Sequence, residues 1–113
     1  MKVIIAGSRG ITEYSIIAKA IADSMFNINS VISGCARGID VLGEKWAKEN
    51  DIKLERYPAQ WDKYGKSAGY RRNEQMAEVA DALIAIWDGE SKGTKHMIDI
   101  MVNLGKRVHI CKV

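Results

Sequence analysis

The chain has 113 residues, of which 47% are hydrophobic and 27% charged, with a formal net charge of +3. That length suits one domain built on one core, and the composition excludes a disordered or low-complexity chain. The positive balance is mild: it suits an anionic small ligand and is too weak by itself to argue for nucleic acid.

No apolar run approaches the ~20 residues needed to span a bilayer, so no membrane association is expected and the protein reads as cytoplasmic. The opening MKVIIAGSRG has too short an apolar stretch for a signal peptide and meets a glycine turn at once. Cys35 and Cys111 lie far apart with no CxxC spacing, so neither a disulfide nor a zinc site is expected. No cluster of His, Cys and carboxylates suggests a metal, and no cofactor is implied.

Apolar strands alternate with helical periodicity along the whole chain. Lys2–Ala6 is apolar through its middle, as a central parallel strand requires. Gly7–Ile11 forms a turn, Thr12 suits an N-cap, and the helix after it carries Ile17, Ile21 and Met25 on one stripe, with Ile16 and Ala20 beside it. Ser30–Ser33 is a second strand, and Gly34–Gly38 a second glycine turn. The following helix directs Ile39, Leu42, Gly43, Trp46 and Ala47 inward. Lys53–Tyr57 is a more polar strand that belongs nearer an edge. Pro58–Gly69 is irregular, and such a loop in a small domain is usually functional or a lid. A helix from Tyr70 to Val79 follows, then the strongly apolar strand Ala82–Trp87. The turn Asp88–Gly93 opens a last helix with Met97, Ile98, Met101 and Leu104 on its inner stripe. Gly105 is placed to end that helix, and Arg107–Cys111 is the final strand.

This βαβαβαβαβ pattern predicts an α/β, Rossmann-like three-layer sandwich, residues 1–113 forming a single domain around a parallel, five-stranded sheet. With strand order 3-2-1-4-5, the ligand crevice lies between the first and fourth strands, at their carboxyl ends.

Three glycine turns fall at strand ends: GSRG (Gly7–Gly10), GCARG (Gly34–Gly38) and GESKGT (Gly89–Thr94). Each leads into a helix, whose free N–H groups and positive dipole end favour phosphate. Ser8, Ser91 and Thr94 add hydroxyls, and Arg9, Arg37 and Lys92 add charge at the same rim. The expected ligand-binding set is therefore Gly7, Ser8, Arg9, Gly34, Arg37, Gly38, Asp40, Arg72, Asn73, Gly89, Ser91, Lys92, Gly93 and Thr94. Arg37 and Asp40 stand three apart at a helix start. Arg37 would meet a phosphate while Asp40 meets a ribose hydroxyl or holds Arg37; the plainer role for Asp40 is to complement the helix dipole. Arg72 is expected to face the pocket and Arg71 to face solvent or a second subunit. Trp61 and Tyr64 in the irregular loop are candidates for stacking on a base, or for packing that loop onto the body. Neither GxGxxG nor GxxxxGK[ST] occurs, which disfavours an ordinary dehydrogenase or a P-loop ATPase.

The segments GSRGIT, SGCARGID and PAQWDKYGKSAGYRRNEQMAEVADALIAIWDGESKGTKHMID resemble the YspA-like (cpYpsA-related) branch of the SLOG superfamily, from Val3 to about Val108. The resemblance implies a Rossmann-like fold, a homo-oligomer, and a pocket for a nucleotide-like small molecule such as a nucleotide or an ADP-ribose or NAD relative. The implied function is that of a sensor or sequestering module. The superfamily also holds the LOG phosphoribohydrolases, so N-glycosidic hydrolysis is the alternative. In LOG enzymes an arginine on the third helix and a PGGxGTxxE turn carry that chemistry. Arg72 falls on the arginine position, but the turn reads WDGESKGTKHM: Trp87 replaces the proline, and Lys95, His96 and Met97 occupy the stretch that should hold the acid. Glycosidic cleavage needs a placed carboxylate, for which Asp88 and Glu90 are candidates, with Arg72 and His96 as the other candidate catalytic groups. SGCARGID is also similar to a loop of the DNA-processing protein A family, which makes single-stranded nucleic acid a third, unfavoured ligand class.

Overall fold

The run Val3–Ile5 is shielded on both sides, as a central strand of an all-parallel sheet must be. The computed structural model describes residues 1–113. Its elements are β1 (Lys2–Gly7), α1 (Tyr14–Ser24), β2 (Ser30–Ser33), α2 (Ile39–Glu49), β3 (Lys53–Arg56), α3 (Trp61–Tyr64), a 3-10 turn (Gly65–Ser67), α4 (Ala68–Val79), β4 (Ala82–Trp87), α5 (Lys92–Asn103) and β5 (Arg107–Lys112). The five strands are parallel and ordered β3-β2-β1-β4-β5. This is the expected Rossmann-like α/β sandwich, with the more polar β3 at one edge.

Successive strand residues point to opposite faces, and the apolar sequence fills both. Val3, Ile5, Val31, Ile84 and Ile86 meet Ile17, Ala20 and Ile21 of α1 and Ile39 and Ala47 of α2. Ile4, Ile32, Leu83 and Ala85 meet Met76 and Ala77 of α4 and Met97, Ile98 and Met101 of α5. Truncating one of these isoleucines or leucines to alanine removes about 2–5 kcal/mol. No helix is long and apolar enough to cross a membrane.

Four local expectations are corrected. Thr12 is not the N-cap of α1: the Ile16 amide bonds the Glu13 carbonyl, so the helix is entered at Glu13, which makes no side-chain cap. Met25 leaves the apolar stripe because it ends α1 in the left-handed conformation (φ 58°) and swings to 89% exposure. Leu104 likewise turns outward at the end of α5. Gly105 (φ 71°) and Lys106 send their amides back to Val102 and Met101, which closes that helix with a Schellman turn. The stretch 58–69 is not irregular throughout: α3 and the 3-10 turn occupy residues 61–67, and α4 begins at Ala68, two residues earlier than the periodicity suggests.

The carboxyl ends of β1 and β2 are locked together at Gly38, which has φ 75°. A Cβ there would stand 2.5 Å from the backbone oxygen of Arg9. Gly10, by contrast, has open space around its missing side chain. Gly38→Ala should therefore destabilise the fold by about 1–3 kcal/mol, while Gly10→Ala should change it by less than about 1 kcal/mol. Urea denaturation of the two variants checks this; equal effects would remove the claim that the two loops are wedged together.

Candidate functional site

The strand order reverses between β1 and β4, and a cleft of about 300 Å³ opens there. Its walls come from four elements: the turn after β1, the turn into α2, the first half of α4, and the start of α5. Met76 and Met97 supply apolar floor, and Ala6 and Gly7 its back. Gly7 is required because a side chain would collide with the Ile86 carbonyl and with Ile39.

Arg72 reaches this cleft from α4 and ties its sides together. Its Nη1 donates to the Gly34 carbonyl, and its Nε donates to Asn73 Oδ1 at 3.1 Å. Asn73, 7% exposed, passes the connection on: its Nδ2 donates to the Gly93 carbonyl at 3.3 Å and lies 3.2 Å from His96 Nδ1. Burial lowers the pKa of His96 below its ordinary value, so its Nδ1 accepts from Asn73 as a neutral imidazole. The ring also meets Tyr70 edge-on at 4.4 Å. One chain of contacts thus joins the β2 turn, α4 and α5. Burial pulls the Arg72 guanidinium down from its usual range, and the nearby Asp40 pushes it back up.

Asp40 is the buried carboxyl of the site, 6% exposed. Burial raises its pKa to about 6, although the Ala36 amide donates to Oδ2 at 3.1 Å and Arg72 and Arg9 oppose the rise. Its cationic neighbours are thus Arg72 and Arg9; the expected partnership with Arg37 is replaced. Arg37 is exposed and does not line the cleft. Gly34 sits between these groups: a Cβ would stand 2.8 Å from Arg72 Nη1 and 3.0 Å from Asp40 Oδ2.

The β2 turn differs from a phosphate loop in one respect. Its Cys35 amide donates to Ser33 Oγ at 3.1 Å and its Ala36 amide to Asp40, so both are already engaged. Ser33 in turn donates to Glu44 at 2.7 Å, and Glu44 pairs with Arg56 at 3.3 Å. This Ser33–Glu44–Arg56 support escaped sequence reading, because three elements supply it and no spacing relates them. Cys35 adopts φ 63° within it.

After β4, Asp88 accepts the amides of Glu90 and Ser91 at 2.8 Å each, and these bonds hold its carboxyl below the ordinary range. Asp88 thus lines the cleft as an anion that holds its own loop. Ser8 accepts the Asp88 amide at 3.2 Å, and Trp87 Nε1 donates to the Ser91 carbonyl at 3.1 Å. Ser91 caps α5, with Thr94 Oγ1 3.0 Å from its hydroxyl. The amides of Lys92 and Gly93 belong to the first turn, which helix geometry leaves without intrahelical acceptors.

Of the expected set, Gly7, Ser8, Arg9, Asp40, Arg72, Asn73, Ser91, Gly93 and Thr94 converge on this cleft. Gly38, Gly89, Glu90, Lys92 and His96 do not line it: Gly38 packs under Arg9, Gly89 (φ 85°) lies against Lys112, Glu90 and Lys92 are exposed, and His96 stands behind Asn73. Gly34 and Trp61 line an adjoining chamber with Arg9 and Arg72. Tyr64 does not line that chamber, and the Arg71 guanidinium lies over its ring at 4.4 Å.

Because folding raises the Asp40 pKa from 3.8 to about 6, its contribution is fully present below about pH 4 and is lost as pH rises through 6. Asp40→Asn should therefore gain on the wild type by an amount on the order of 3 kcal/mol between pH 4 and pH 8. Denaturant titrations across that range check it; a difference independent of pH would mean that Asp40 ionises as it does in water.

The model of the YspA, cpYpsA-related SLOG family matches residues 1–64. The Gene 61 protein of Mycobacterium phage D29 is 33% identical over 104 residues, covering 84% of this chain and 83% of that protein. No solved structure shows significant similarity. The family match takes in the β1 and β2 turns, with Arg9 and Asp40, and stops before Arg72 and the α5 turn. With a match across more than half of its length, the chain belongs to the YspA, cpYpsA-related SLOG family.

Proposed function

We propose that the chain binds a nucleotide-derived, phosphate-bearing small molecule in the β1–β4 cleft and acts as a sensor or sequestering module. Membership of the SLOG family fits a nucleotide-related ligand. The observation that carries the reading is the surplus of cationic donors in the cleft. Two guanidinium groups, Arg9 and Arg72, share it with the start of α5, whose N-terminus adds roughly half a positive charge. The two carboxyls beside them are turned to loop amides, Asp88 to those of Glu90 and Ser91 and Asp40 to that of Ala36. An anion with several oxygens satisfies this surplus, and guanidinium forks favour phosphate.

Arg9 is exposed and can be changed without disturbing the core. Wild-type protein should melt several degrees higher with millimolar AMP or ADP-ribose, since a ligand held by the folded state alone stabilises it. Arg9→Glu should keep the unliganded melting temperature and lose that shift. No shift with any phosphate-bearing ligand would end the proposal.

Asp40 also favours a second reading, N-glycosidic hydrolysis. A carboxyl protonated near pH 6 beside Arg72 can protonate a departing base. Base release from AMP, followed by chromatography, should then fall as pH rises through about 6 and be absent in Asp40→Asn. Binding without base release leaves the sensor reading alone.

A further inference from the structure

A second chamber of about 250 Å³ adjoins the cleft, and Arg9, Ala36 and Arg72 line both. Small-molecule sites span roughly 300–1,000 Å³, so neither chamber alone exceeds the lower bound, whereas the two together fall within it. Their chemistry differs. The first chamber has hydroxyls, the α5 terminus and both carboxyls. The second has Pro58, Ala59 and Trp61, and no carboxylate lines it.

Trp61 is the one aromatic side chain that lines the second chamber. It is 52% exposed, unusual for so large an apolar ring in a small domain. Its ring edge lies over Gly69, where a Cβ would stand 3.5 Å from Cη2 and 3.8 Å from Arg72 Nη2. Indole and guanidinium thus approach the same point at the start of α4. A flat surface, apolar walls and cationic groups at one end suit a planar ring attached to an anion.

We infer that the second chamber is the seat of a planar heteroaromatic ring, stacked on Trp61, whose attached phosphate lies past the Arg9–Arg72 boundary in the first chamber. This rests on the phosphate-binding reading and adds to it the direction of the ligand: ring toward the 58–61 loop, phosphate toward α5. Arg72 then stands where ring and sugar-phosphate meet, which gives one residue contact with both halves.

Calorimetric titration of the full chain with AMP, ribose 5-phosphate and adenosine tests this, with wild type, Trp61→Ala and Trp61→Phe compared and their circular dichroism checked. AMP should bind the wild type on the order of tenfold tighter than ribose 5-phosphate. Trp61→Ala should reduce AMP to the level of ribose 5-phosphate, leave ribose 5-phosphate unchanged, and be largely rescued by Trp61→Phe. Equal affinities for AMP and ribose 5-phosphate, or AMP binding that ignores Trp61→Ala in folded protein, would overturn the inference while phosphate binding stood. Adenosine binding that depends on Trp61, with no binding of ribose 5-phosphate, would support the ring seat and remove the phosphate reading. Binding of none of the three would overturn both.

Discussion

The Arg72 guanidinium spans the crevice between the two halves of the sheet, and the geometry around it follows from that bridge. A parallel sheet delivers every strand to the same rim, but it does not hold the loops there at a defined separation. Arg72 does so from α4, bonding the Gly34 carbonyl after β2 and, through Asn73, the Gly93 carbonyl in α5. A charged donor on a backbone carbonyl in a partly buried site is stronger than a neutral pair. Glycine at position 34 follows directly, because any side chain would occupy the guanidinium's place.

That bridge also governs the polar economy of the site. Many groups that resemble ligand-binding groups in one dimension hold the loops in three. The Cys35 and Ala36 amides close on Ser33 and Asp40, Asp88 closes on its own turn, and Asn73 uses its amide on Arg72, Gly93 and His96. A buried polar group without a partner is costly, and these groups find their partners within the loops. Those left over are Arg9, part of Arg72, and the first turn of α5, all of one sign. Asp40 is the counterweight. Burial lifts it toward neutrality while the two arginines hold it down, so its charge responds to pH and to any anion placed beside it.

The fold was legible because both sheet faces are apolar and glycine turns punctuate the ends of β1, β2 and β4. Gly7 and Gly38 mark close backbone approaches that no larger residue permits, Gly34 leaves room for the Arg72 guanidinium, and all three stand out in any reading of the chain. Arg72 and Asn73 were legible as cleft-lining residues from their place near the start of a helix, though the hydrogen bonds of Asn73 to Gly93 and His96 were not. Arg37, Lys92 and Glu90 misled because proximity in a turn says nothing of direction. All three are exposed and none lines the cleft. The Ser33–Glu44–Arg56 support was invisible, since its members meet only when β2, α2 and β3 pack side by side.

Alternating apolar runs and helical stripes, taken alone, determined the layers, the parallel sheet and the rim on which chemistry must lie. They do so because burial of apolar surface is dictated by residue type and period, both of which are local properties. Which of the polar residues on that rim are occupied and which are left facing the cleft was decided only by the tertiary structure. Hydrogen-bond satisfaction depends on partners brought from distant segments, and Arg72, 38 residues from the carbonyl it holds, is the case on which this site turns.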